Sequence, residues 1–165
     1  MNAHFNRSAG IASRSATLGF VAGLRSQMPL ALLAIATGRG SIGRHGVSPS
    51  ALLRHPAALA GLCLSAAGEA MVDKLRVAPG RLEAGPLGGR LFFGALAGSI
   101  LSRDRGVPIA GGAALGAVGA LAGSFAGYQA RRYLGRSTGV PDAVWAVVED
   151  VVAVGLGLLA TRRVA

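Results

Sequence analysis

From Val107 to Ala130 the chain reads VPIAGGAALGAVGALAGSFAGYQA, without a single charged side chain. At ~1.5 Å per residue, a helix of this length exceeds the ~30 Å hydrocarbon thickness of a bilayer. Composition points to the same solvent. Hydrophobic residues make up 52% of the 165 positions and charged residues 15%, with a mean hydropathy of +0.50. An ordinary soluble domain is about 25% charged. The 26 glycines follow no collagen period and form no polar low-complexity tract; membrane helices use glycine to bring backbones close. A net charge of +10 would suit nucleic acid in a soluble protein. Here most Lys and Arg residues lie in the gaps between apolar runs, and no surface rich in Lys and aromatics is available. No nucleic-acid partner is expected. The expected partner is the lipid bilayer, in a membrane crossed several times.

Four other apolar segments accompany 107–130. The first runs from Ser15 to Gly38 and is interrupted at Arg25-Ser26-Gln27. The second begins at Pro56 and fades at Asp73-Lys74. The third, LFFGALAGSILS (91–102), is short, about 18 Å as a helix. The last starts at Pro141, a good first-turn residue. The stretch Leu75–Gly89, with Pro79, Gly80, Pro86, Gly88 and Gly89, reads as an irregular loop. The fold expected is an all-α, polytopic membrane helix bundle. It would have four to five transmembrane helices, a broken first helix and a short or re-entrant third segment. A polar segment 1–14 would precede a single transmembrane domain, 15–161, with a basic tail at 162–165. A signal peptide at the start is disfavoured, because Arg25, Ser26 and Gln27 break the apolar core such a peptide needs. With five spans, basic residues divide nine against seven between the two sides, a thin bias toward a cytoplasmic N-terminal side.

Residues 23–36, GLRSQMPLALLAIA, are the most informative motif. Pro29 has no N–H to give the carbonyl of Arg25, and its ring crowds that carbonyl. The spacing predicts a helix break across Arg25–Pro29, with Gln27 and Pro29 marking it. Broken backbone at membrane depth is tolerated where it is buried or lines a cavity, and transporters place binding sites at such breaks. A simple kink with Arg25 tied to one acid is the plainer alternative.

The acids are few and badly placed for plain solvation. Glu69 and Asp73 stand at i and i+4 on one helix face. Glu149 and Asp150 are adjacent inside VWAVVEDVVAVGLGLLA (144–160). Neighbours on a helix point about 100° apart, so these two carboxylates would turn toward two different helices across one crevice. Arg25, Glu69, Asp73, Glu149 and Asp150 are therefore the candidate substrate- or ion-binding cluster. Arg25 is the obvious buried cation, with Lys74 or Arg90 able to reach in from an interface. Acids that outnumber one central arginine would leave a carboxyl protonated or holding a cation. A structural ion-pair network that only pins helices is the competing account.

Gly112/Gly116, Gly119/Gly123, Gly123/Gly127, Gly19/Gly23 and Gly94/Gly98 are each four apart, a spacing for close helix crossing within or between subunits. GLGLLA (155–160) fits a dinucleotide fingerprint in letters only, since no strand precedes it. Cys63 is alone, and His4, His45 and His55 lack metal-ligand spacing. No metal site, no cofactor and no enzymatic activity are expected.

Gly23-Leu24-Arg25 with Pro29-Leu30, Glu69-x-x-x-Asp73-Lys74, the Pro- and Arg-bearing loop, the glycine-rich helix and Glu149-Asp150 together resemble a bacterial membrane-protein family. That family is catalogued as domain of unknown function 4126. The resemblance spans about Gly19 to Leu159. Where the family often carries a proline soon after Asp-Lys, this chain has Arg76, with Pro79 further on. The resemblance implies an integral membrane protein and supplies no activity. The function expected from the residues is a small transporter or channel, proton- or cation-coupled, acting on an ion or metabolite as a homo-oligomer. The alternative is a membrane scaffold or assembly protein.

Overall fold

A computed structural model describes residues 2–40, 53, 55–72 and 82–162, apart from the side chains of 2–7 and 69–72. These residues form six helices and no strand: α1 (Asn2–Leu24), α2 (Met28–Gly38), α3 (Pro56–Val72), α4 (Ala84–Asp104), α5 (Ile109–Thr138) and α6 (Asp142–Thr161). Three of them, α4, α5 and α6, are long and apolar enough to cross a membrane. Within their most apolar 18 residues, only 33%, 33% and 28% are buried inside the bundle. The outward remainder includes Phe92, Val118, Phe125, Val151 and Leu159. A helix that is apolar on its outer face as well as its inner one suits lipid rather than water.

The third apolar segment corrects the expectation of a short or re-entrant span. It extends back to Ala84 and reaches 21 residues, taking in Gly85, Pro86, Gly88 and Gly89. Proline is tolerated in a first turn, where its missing N–H has no intrahelical partner to lose. The Gly- and Pro-bearing stretch before Arg90 thus starts a helix instead of interrupting one. α5 likewise outruns its uncharged stretch and carries Arg131, Arg132 and Arg136 in its last turns.

The re-entrant element is the first segment. Arg14, in the body of α1, donates to the carbonyls of Ala160 and Arg162 at the C-terminal end of α6. Arg25, at the end of α1, pairs with Asp150 in the middle of α6. Leu32, a turn into α2, rests on Gly157, back toward the C-terminal end of α6. The chain has therefore reversed between Leu24 and Met28, and α2 returns beside α1. Pro29 stands in the first turn of α2, where the sequence places the break. With no Pro29 N–H available, the Arg25 carbonyl accepts from Met28 N–H at 3.3 Å, a tight turn in place of a continued helix.

Around this hairpin, α4 and α6 run antiparallel to α1 and α5 runs parallel to it. The pairs Ser15–Ser102 and Arg90–Gly23 give the first direction. The contacts Ala16–Gly119 and Phe20–Gly123 give the last. The meeting surfaces are backbone. A Cβ on Gly19 would strike Gly116, one on Gly23 would strike Ala120 and Ser124, and one on Gly98 would strike Gly112. α5 buries a stripe of small residues, Gly112, Gly116, Gly119, Ala120, Gly123, Ser124 and Gly127. The four-residue glycine spacing is thus a packing device within one chain. Leu18, Leu33, Ala97, Ile100 and Leu101 form the main side-chain core beneath the hairpin.

The packing of α5 gives a paired test. Gly116→Ala directs a methyl into the Gly94 backbone, whereas Gly111→Ala meets nothing within 4 Å. The first change is expected to cost about 1–3 kcal/mol through overpacking. The second is expected to be neutral or mildly stabilising, because alanine favours helix over glycine. Thermal unfolding in detergent, followed by circular dichroism, checks both.

Candidate functional site

The hairpin turn lies inside the bundle. It is level with Arg90, six residues into α4, and with Asp150, eight residues into α6. At ~1.5 Å per residue the turn is about 10 Å from the nearer helix ends. At this depth every backbone group needs a partner from the protein. In a continuous helix the Gly23 carbonyl would accept from Gln27. After the break it accepts from Arg90 Nη1 at 2.8 Å and lies 3.3 Å from the Ser124 hydroxyl. Ser124 also donates to Ala120 of its own helix at 2.8 Å. Two neighbouring helices thus contribute the groups that close the end of α1. A guanidinium there also complements the negative end of the α1 dipole.

Arg25 is the largest fully buried side chain, at 1% exposure, and its Nε pairs with the Asp150 carboxylate. Asp150 is 21% exposed, so this ion pair is sealed on the arginine side and accessible on the carboxylate side. Glu149 is buried and turns elsewhere: its Oε2 lies 3.3 Å from Arg131 Nε on α5. Arg131 also lies 3.7 Å from the exposed Asp142, at the start of α6. The adjacent carboxylates therefore meet different partners, Asp150 the Arg25 that follows α1 and Glu149 the Arg131 of α5, and neighbours about 100° apart on a helix can do so.

The five residues singled out from sequence are distributed as follows. Arg25 and Asp150 meet directly. Glu149 shares their level of α6 but is held by Arg131. Glu69 lies in α3 with its side chain outside the described residues, and Asp73 lies outside them altogether. Among the described residues the charges gathered around the hairpin turn and Glu149 are Arg25, Arg90 and Arg131 with Glu149 and Asp150, while Asp104, its side chain 6% exposed, stands apart beside Arg105 at the end of α4. The excess of acid expected from sequence is not present in that set. No group of three His, Cys, Asp or Glu side chains is placed to hold a metal among the described residues.

Sequence reading missed Arg131 because it lies beyond the uncharged stretch and reads as a loop charge. A signal was available. Gly139, in the left-handed conformation, ends α5, and Pro141 precedes α6. A helical hairpin centred there brings together positions equally far from the turn, and Arg131 and Glu149 are such a pair.

Among α1, α5 and α6, beside Glu149, is a crevice of about 210 Å³. Phe20, Leu24, Gly127, Leu134, Val148 and Val152 supply much of its apolar lining, and Arg131, Glu149 and Trp145 lie along its wall. Comparison with family models, with curated proteins and with solved structures finds no match. The site is read from its geometry alone.

The Arg25–Asp150 pair can be tested by a double-mutant cycle. Arg25→Met alone leaves a carboxylate in the bundle without its partner, and a loss of about 3 kcal/mol or more is expected. Arg25→Met combined with Asp150→Leu is expected to recover most of that loss, because no charge is then stranded. Thermal or denaturant unfolding of the four proteins in one detergent gives the coupling. Additive losses would show that the pair does not act as a unit.

Proposed function

We propose that this chain is a multi-pass protein of the bacterial inner membrane that transports a small ion or metabolite, with Arg25 and Asp150 at its site. The observation that carries this reading is the re-entrant hairpin. It brings a helix end, a helix start and a sealed arginine to the bundle interior, opposite a carboxylate that stays partly accessible. Interior helix breaks supply backbone groups and dipole ends to ligands, and intramembrane charges mark transport pathways by default. In this reading α3 joins α4, α5 and α6 as a fourth crossing; its 17 residues reach about 25 Å. Glu69, within α3, would then bring a further acid, and Asp150 is the carboxylate best placed to exchange a proton or cation. In this reading the protein acts without enzymatic chemistry and, at this size, as a homo-oligomer.

The helix directions also bear on orientation. Arg7, Arg14, Arg39, Arg103, Arg105 and Arg162 lie toward the end where α1 begins, and Arg131, Arg132 and Arg136 toward the other. Six against three among the described residues favours the first end as cytoplasmic.

A membrane scaffold is the second reading. It is favoured by one observation: Arg90 and Ser124 are both engaged in closing the end of α1, a structural task. Reconstituted vesicles on a solid-supported membrane, pulsed with a panel of ions and small metabolites under a pH gradient, separate the two. Transport predicts a saturable current for at least one compound class, abolished in Asp150→Asn while its helical circular dichroism is kept. Silence across the panel, with Asp150→Asn merely melting at lower temperature, would leave the scaffold.

A further inference from the structure

The last turns of α5 carry an outer face that the transport reading does not use. Gln129, Arg132, Tyr133, Arg136 and Ser137 are spaced by threes and fours, so they share one side of the helix, and they line an open hollow of about 400 Å³. Gly127, Arg131 and Leu134, which line the crevice beside Glu149, lie on the opposite side of α5. Arg131 is engaged with Asp142 and Glu149. Arg132 and Arg136 are exposed, and among the described residues no carboxylate pairs with either of them. A helix C-terminus favours cations in general, but it does not select one face for them. Like charges one turn apart repel, and an anion seated between the two guanidiniums turns that repulsion into attraction. Phosphate oxygens suit the planar donors of arginine well.

Toward the middle of α5 the same side turns apolar. Leu115, Val118, Leu121 and Phe125 are exposed and follow one another at steps of three and four, in line with Arg132 and Arg136. Gly112, Gly116 and Gly123 meet α4 and α1 from the other side of the helix. The stripe from Leu115 to Phe125 rises about 15 Å, one leaflet's share of a ~30 Å hydrocarbon core. Arg132 stands about 10 Å further along, and arginine carries its charge outward to the polar interface on an apolar stem. Tyr133, 72% exposed, is of the amphipathic kind found at headgroup level. A molecule that matches the whole stripe has an apolar chain one leaflet long and an anion at its interfacial end.

We infer that the outer face of α5 is a docking site for an anionic phospholipid, its phosphate between Arg132 and Arg136 and one acyl chain along Phe125, Leu121 and Val118. The inference rests on the membrane setting but not on transport, so it stands or falls separately from the Arg25–Asp150 site.

Trp145 is the single tryptophan of the chain and lies on the crevice side of α5. Phe125→Trp combined with Trp145→Phe therefore moves the fluorophore onto the stripe. The full-length double variant, its helical circular dichroism matched to wild type, is reconstituted in phosphatidylcholine vesicles containing small fractions of brominated phosphatidylglycerol or brominated phosphatidylcholine. Quenching by brominated phosphatidylglycerol is expected at mole fractions at least threefold lower than brominated phosphatidylcholine requires. Adding Arg132→Gln with Arg136→Gln should remove that preference. Arg39→Gln with Arg103→Gln, at exposed positions toward the other end of the bundle, should leave it intact. Equal quenching by both lipids would overturn the inference, leaving a face that merely borders bulk lipid. Retained preference without Arg132 and Arg136, or equal loss with either arginine pair, would also overturn it, since the attraction would then be diffuse. No lipid preference, together with saturable binding of inorganic phosphate that Arg132→Gln with Arg136→Gln removes, would assign the pair to a soluble phosphate compound instead.

Discussion

The carbonyl of Gly23 sets the terms for the rest of the bundle. A chain that reverses in the middle of an apolar assembly strands backbone acceptors where no water can reach them, at several kcal/mol for each one left unmet. Here Arg90 from α4 meets this carbonyl, and the Ser124 hydroxyl from α5 lies beside it. Serine is short, so α5 must come within backbone contact of α1. That distance is possible only because Gly19, Gly23, Gly116, Gly119 and Gly123 carry no side chain. The glycine stripe and the broken helix are therefore one feature. The first lets the second exist at that depth.

Much of this was legible in the sequence, and what was not has definable causes. Pro29 announces the break, because the loss of one N–H and the clash with one carbonyl are local facts. It does not announce the reversal. A proline removes a bond without specifying an angle, and the direction of α2 is set by where Leu32 finds Gly157 and where Leu33 meets the core. The start of α4 was hidden for a related reason. Gly85, Pro86, Gly88 and Gly89 form a loop-like composition, and only their position in the opening turns makes a helix tolerable. The glycine spacings on α1, α4 and α5 were readable as close packing, but not which helix each would meet.

For the site, the sequence supplied the acids and the angle between them, and it supplied Arg25. Of the remaining cations it offered Arg90 only as a residue reaching in from an interface, and Arg131 not at all. Arg90 and Arg131 stand at the ends of apolar stretches, where an arginine ordinarily marks the approach to water. Both are instead drawn inward by specific acceptors, a backbone carbonyl for Arg90 and the Glu149 carboxylate for Arg131. The electrostatic character of the interior changes with them. A cluster read as acid around one arginine becomes, among the described residues, three guanidiniums with two carboxylates. Protonation of a carboxyl then no longer follows from charge balance alone.

The way α6 is held makes its two ends unequal. Toward its C-terminal end it is fixed by shape: Gly157 receives Leu32, Ala160 is buried in the main core, and Arg14 closes the last carbonyls. Toward its N-terminal end, the crevice separates it from α5, and the links there are ionic, Arg131 to Glu149 and to Asp142 and Arg25 to Asp150. Apolar contacts in a close-packed core respond little to protons or ions. Ion pairs respond to both, through the charge of the carboxylate and the hydration of its surroundings. The end of α6 that ion pairs hold is therefore the one that ionic conditions can loosen, while the end at Gly157 is set by shape.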